Sequence, residues 1–542
     1  MKNLKIVSLL SLLCGVLTLS SCSIIREIIE YDDQEENTQR DDIDFNIDKV
    51  DVDGKTIIQH TYKDVAKNSV YTVDYCPNSG DVKLLIIPVW FSDSNSYIIS
   101  DTSRQKVRED IKTAYLGSVE ETGWHSVKTY YEKESSYKLT IEGTVSEWYE
   151  PGISASQVSK NGDVTNALVT TAVDWYFSTH DENKSNYDSD NNGYLDGVML
   201  IYAAPDYRAL NNDEYDNLWA YCNWLQMEND KSYPIPNVYF WASYDFMYSE
   251  GMKARDRAGT SYGSGKTTHC KIDAHTYIHE MGHVFGLDDY YDYGDNRYNP
   301  AGGFSMQDFN VGGHDPYSVM SLGWANPYVV SDNAKVSIGT FQKTRDVVLL
   351  SSNWNGIGSP FDEYLLFELY SPTGLNELDS RFCYEAVQGP NLVGIRVWHV
   401  DARLTYCNEL QRVGIYNQPV FRYGNFTSDP KVGKENGNYG LTVAFTNTVD
   451  KEDYGSVFGP DYDDYNILQL VRNSKTAKIR NKDYISSRDL FTTGSYALSD
   501  FSSQFVKGRQ NKMNNDSYFD WKFKITITGI GEDSRAEIEI IK

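Results

Sequence analysis

"HEMGHVFGLDDYYD", His279 to Asp292, sets two histidines four residues apart with a glutamate directly after the first. At helical spacing, Ala274, Tyr277, Ile278, Met281, Val284 and Phe285 fall in one apolar stripe, and His279 and His283 fall opposite with Glu280 beside them. Such a helix buries its stripe and presents both imidazoles, one turn apart, to a cleft. Neutral imidazoles are good zinc ligands, and this spacing lets two of them meet one ion. Glu280 then stands where it can take a proton from an activated water. Gly286 can end the helix in the left-handed conformation and turn the chain back. Asp289, six residues past His283, is therefore the expected third ligand, with Asp288 as the alternative. Three protein ligands and one open position describe a catalytic rather than a structural zinc. A buried helix with polar decoration would explain a bare HExxH. It does not explain the added glycine and aspartate at these offsets.

The rest of the chain is consistent with a large extracellular protein. Its 542 residues exceed one ordinary domain. Fifty basic against 77 acidic residues leave a formal charge of −27, which argues against nucleic acid as a partner. "MKNLKIVSLLSLLCGVLTLSSC" has Lys2 and Lys5 before an apolar run from Ile6 to Leu19, the pattern of a secretory signal. It ends in Leu19-Ser20-Ser21-Cys22, which resembles a lipobox, so residues 1–21 are expected as a lipoprotein signal peptide and Cys22 as the lipidated residue. Residues 22–80, including the acidic "EYDDQEENTQRDDID", are expected to act as a tether that holds the protein at a bacterial envelope facing outward. Release into the medium is the other outcome. The remaining cysteines are odd in number and show no CxxC spacing, so no disulfide framework is expected.

From about residue 81 to 330 the text reads as α+β. "KLLIIPVWF" and "GVMLIYAA" are continuous apolar runs of strand length, and "RQKVREDIKTAYLG" and "SVKTYYEKES" are helical. From 331 to 542 the segments are short and alternating, among them "EYLLFELY", "GIRVWHVD", "KFKITITGI" and "RAEIEIIK". These predict a β-rich, sandwich-like C-terminal module. "DSDNNGYLD" has side-chain oxygens at Asp188, Asp190, Asn192 and Asp196, Gly193 at the sixth place and the Tyr194 carbonyl at the seventh. That is the first part of an EF-hand-type calcium loop, although its twelfth position is Met199 rather than glutamate. A solvated acidic turn is the alternative.

"HEMGHVFGLDDYYD" resembles the motif HExxHxxGxxD of the immune inhibitor A family of secreted bacterial metallopeptidases. "KLLIIPVWFSD", "YYEKESSYKLTIEGTVSEWY", "DSDNNGYLDGVMLIYAA" and "GGFSMQDFNVGGHDPYSVMSLGW" resemble successive family blocks, and the likeness spans about Lys83 to Leu404. It implies a metzincin-like zinc peptidase domain, Asp289 as the third ligand, and a methionine turn beneath the metal, for which Met306 is the candidate. Relatives carry an aspartate after that methionine; the register here places Gln307 there. A thiolate lid formed by Cys76 is the weaker alternative to a buried, idle cysteine. The expected activity is endoproteolysis of extracellular proteins by zinc, with Glu280 as general base, and calcium as a second ion. The alternatives are a non-catalytic adhesin or glycan-binding protein on an inherited fold, and a zinc hydrolase of non-peptide bonds.

Overall fold

A computed structural model describes residues 40–542 apart from 41, 68–72, 99, 160–161, 207–216, 230–232, 249–269, 294–297, 353, 355–357, 385–386, 403, 408–438, 443–446, 448–465, 479 and 506–515. The signal segment and Cys22 therefore lie outside the described residues. No described helix is long and apolar enough to cross a membrane.

The chain is a mixed α+β structure. Its N-terminal half supplies β1 (Val50–Asp51), β2 (Gly80–Val89), β3 (Leu139–Val145), β4 (Val198–Tyr202), β5 (Tyr221–Trp224) and β6 (Val238–Ser243). Strands β2 to β6 form one sheet in the order β3-β2-β4-β6-β5, parallel except for the antiparallel edge strand β5. Helices cover both faces, which explains why β2 is apolar without alternation. Leu85, Ile87 and Val89 point to α3 (Gly162–Thr179), against Val169, Ala172 and Val173. Leu84 and Ile86 share the opposite core with Ile111 and Tyr115 of α1 (Asp101–Leu116) and with Tyr131 of α2 (Val127–Glu134). The motif helix, α4 (His275–Phe285), packs in that same core.

Beyond residue 327 come β7 (Tyr328–Val330), β8 (Ala334–Gly339), β9 (Val348–Leu350), β10 (Glu363–Tyr370) and β11 (Gly394–Asp401). They are followed by β12 (Leu404–Cys407), β13 (Tyr439–Thr442), β14 (Leu468–Val471), β15 (Gly494–Ala497), β16 (Lys522–Thr528) and β17 (Arg535–Ile541). Two five-stranded sheets result, β1-β8-β17-β16-β15 and β14-β11-β10-β9-β7, with β12 and β13 paired apart. Leu365, Phe367, Ile395 and Val397 face Val336, Phe523, Ile525 and Ile538 across one core. The alternate residues Tyr364, Leu366, Trp398 and Val400 enter the core that holds α4. Among the described residues the second sheet is thus buried on both sides, and one of its faces shares a core with the N-terminal half.

Part of the stretch expected as a tether, residues 22–80, packs with the body. Ile58, Tyr62 and Val65 are buried in the α4 core, and β1 pairs with β8. The physical reason is that these few apolar residues find partners hundreds of positions away, so local composition underestimates their burial.

Candidate metal centre

Helix α4 forms where the apolar stripe predicts it. Tyr277, Ile278, Met281, Val284 and Phe285 are at most 1% exposed. Gly286 ends it at φ 105°, in the left-handed region, and the Leu287 amide bonds back to the Gly282 carbonyl. A Cβ at Gly286 would lie 2.7 Å from the Tyr62 side chain, so the turn needs glycine for space as well as for φ. The reversal carries the Leu287 carbonyl onto His283 Nδ1 at 2.7 Å and returns Asp289 to the histidines.

His279 Nε2 lies 3.0 Å from Asp289 Oδ1, His283 Nε2 lies 3.2 Å from that same oxygen, and the two Nε2 atoms are 3.2 Å apart. Tetrahedral zinc with ligand bonds of about 2.0–2.1 Å needs donor separations of roughly 3.3 Å. The three donors fit that requirement. Each imidazole has its other nitrogen committed to a backbone carbonyl, His279 Nδ1 donating to Met306 O at 2.8 Å and His283 Nδ1 to Leu287 O. Those bonds fix the tautomer that leaves Nε2 as a lone-pair donor. Tyr293 donates its hydroxyl to Asp289 Oδ2, which leaves Oδ1 without a hydrogen-bond partner and aimed at the histidines.

Glu280 is 6% exposed and its Oε2 also has no hydrogen-bond partner. Burial raises the Glu280 carboxyl, and the Asp289 carboxylate adds to this against the pull of His283 and His279. Burial pushes the His283 imidazolium down, but Asp289 more than offsets it, to about 10. Burial likewise opposes ionisation of Asp289, and the two histidines overcome it and hold its carboxyl well below the carboxylate range. The centre collects positive charge, as a proton or as a cation.

Other candidates are placed as follows. Asp288 is outside the donor group, and burial pushes its carboxyl up to about 7. Met306 opens α5 (Met306–Phe309) with its side chain buried, and it supports His279 through its main-chain carbonyl rather than its sulfur. Gln307 lies against the helix at Gly282, where an added Cβ would meet its Oε1 at 2.2 Å, and that oxygen pairs with His314 Nε2 at 3.2 Å. His399 pairs with Glu363. Cys76 is fully buried, its amide bonds to the Val284 carbonyl, and burial drives its thiol well up. It is the idle cysteine, not a thiolate lid.

At the expected calcium loop the oxygens already have partners. Asp188 accepts from the Asn192 and Gly193 amides, and Asp196 accepts from the Ser189 amide and hydroxyl. Asn192 Oδ1 accepts from the Tyr194 amide, and Asp190 Oδ2 is 2.6 Å from Lys63 Nζ. Burial pushes Asp196 up to about 7. Among the described residues this loop is not one of the compact donor groups; those are His279–His283–Asp289 and Cys270–Asp273–His275. Motif reading missed the second group, because its cysteine, aspartate and histidine follow no ligand spacing such as CxxC or HExxH.

The fold and site thus define a mixed α+β protein with a three-donor, buried centre fit for a metal ion. No protein-family model and no curated protein matches the chain.

Proposed function

We propose that this chain is a zinc-dependent endopeptidase of metzincin-like fold, similar to the immune inhibitor A peptidases, acting on extracellular proteins from a lipid anchor at Cys22. One observation carries the reading: two Nε2 atoms and Asp289 Oδ1 converge at zinc spacing beside the buried, unpartnered carboxylate of Glu280. His279, His283 and Asp289 would hold the ion. Zinc there supplies Lewis acidity, polarising a peptide carbonyl and acidifying an attacking water. Glu280 accepts that water's proton and passes it to the leaving amine. The edge strand β5 packs near α4, and its outer side pairs with no strand among the described residues. An extended peptide can add there by main-chain hydrogen bonds, which supports a protein substrate.

Metal analysis beside a casein-type assay tests this. Glu280→Gln should keep zinc at near-stoichiometric occupancy and lose proteolysis by at least about 10²-fold. Asp289→Ala should lose zinc and activity together. A Glu280→Gln variant that digests protein normally rejects Glu280 as the base, and a wild type that binds zinc yet digests no protein leaves the non-catalytic binding protein in its place.

A further inference from the structure

A second buried cluster sits at the N-terminal end of α4. Cys270, Asp273 and His275 bring a sulfur, a carboxylate oxygen and a ring nitrogen within 4.8 Å of one another. His275 Nδ1 is 2.8 Å from Asp273 Oδ1 and 3.9 Å from Cys270 Sγ, so one ring edge faces both. The ring is clamped on its two faces, by Trp124 at 3.8 Å with 5° between planes and by Tyr384 at 4.1 Å. Its far nitrogen, Nε2, lies 3.4 Å from both oxygens of Asp379, which accepts the Gly312 amide at 2.8 Å.

We propose that Cys270, Asp273 and His275 form a second divalent-cation site, taking zinc, with Asp379 holding the far nitrogen of His275. A carboxylate behind a ligating imidazole is how proteins fix the tautomer and orientation of such a ligand. The observed separations of 2.8 and 3.9 Å bracket the roughly 3.3–3.6 Å edges of a tetrahedral site with one sulfur. Thiolate with imidazole selects zinc over calcium or magnesium.

His275 lies one turn, about 6 Å, before His279 along the axis, and the donors of the two clusters fall into separate groups. Neither needs the other.

The test uses the full chain stripped of metal and titrated with cobalt(II). The His279–His283–Asp289 centre has no sulfur, so a thiolate-to-cobalt charge-transfer band in wild type reports the second site. Cys270→Ser and Cys270→Ala should abolish the band and lower bound zinc by one equivalent, while the centre at His279 keeps its own. Absence of the band in wild type overturns the proposal however the variants fold, and so does a band of equal strength in Cys270→Ser.

Discussion

At the scale of single residues, the two buried histidine clusters differ in what a deletion leaves behind. His275 faces Asp273 and Asp379, all three nearly inaccessible to water. Burial is the largest single influence and lowers its imidazolium, but Asp379 and Asp273 together outweigh it and raise the group well above the usual histidine range. His275→Ala strips two buried carboxylates of their shared cation, and is expected to destabilise the protein by about 3–5 kcal/mol. Denaturant unfolding measures this; a midpoint equal to wild type would contradict the buried pairing. The four residues of the HExxH motif and its aspartate were legible as a site because ligand chemistry fixes their spacing. Asp379, Trp124 and Tyr384 were not, since nothing local marks residues that serve a ring more than a hundred positions away in either direction. Nor could sequence show that Met306 acts through its carbonyl, a group every residue has.

At the scale of elements, helix α4 was readable nearly to its ends, because the apolar stripe and Gly286 state where it packs and stops. Strands β10 and β11 coincide with the alternating runs "EYLLFELY" and "GIRVWHVD". The turn at Gly286 should be intolerant of a side chain. Gly286→Ala must hold φ 105° and meet Tyr62 at 2.7 Å, and is expected to cost roughly 1–3 kcal/mol and weaken zinc binding by displacing Asp289. A chelator competition at constant pH reads the affinity; unchanged affinity would detach the turn from the centre. The loop Asp188–Asp196 makes a separate claim. Calcium should raise the melting temperature, and less so in Asp190→Ala. Lys63 competes for the same oxygen of Asp190, so Lys63→Met should enlarge the rise. Equal calcium responses in all three proteins would leave the loop a plain acidic turn. Lys63 was invisible in the loop's own sequence because it lies 127 residues earlier.

At the scale of the whole molecule, the halves are joined by charge as well as by the doubly buried sheet. Arg345, just after β8, reaches Glu134 at the end of α2 at 2.8 Å, and the other oxygen of Glu134 accepts the His314 amide. Burial opposes ionisation of Glu134, but Arg345 and His314 overcome it and hold its carboxyl below the ordinary range. A depressed folded pKa gives stability that is present above the unfolded value and lost as pH falls through the folded one. The melting-temperature gap between wild type and Glu134→Gln should therefore be widest above about pH 5 and close on acidification below about pH 4. A gap independent of pH would show that Glu134 acts by shape alone. The sequence suggested two modules because the periodicity changes near residue 330; shared burial across that change is a tertiary fact that periodicity does not record.

Helix α4 is held by parts of the chain that become available at very different times. Tyr62, against its end at Gly286, emerges first; His279, His283 and Asp289 follow; Asp379 and the strands β10, β11 and β14 that complete the core come last. A chain made from its N-terminus exposes the three donors, with Leu287, Tyr293 and Met306 that orient them, before the strands that bury them exist. The core that buries the centre can therefore close only when most of the polypeptide is out.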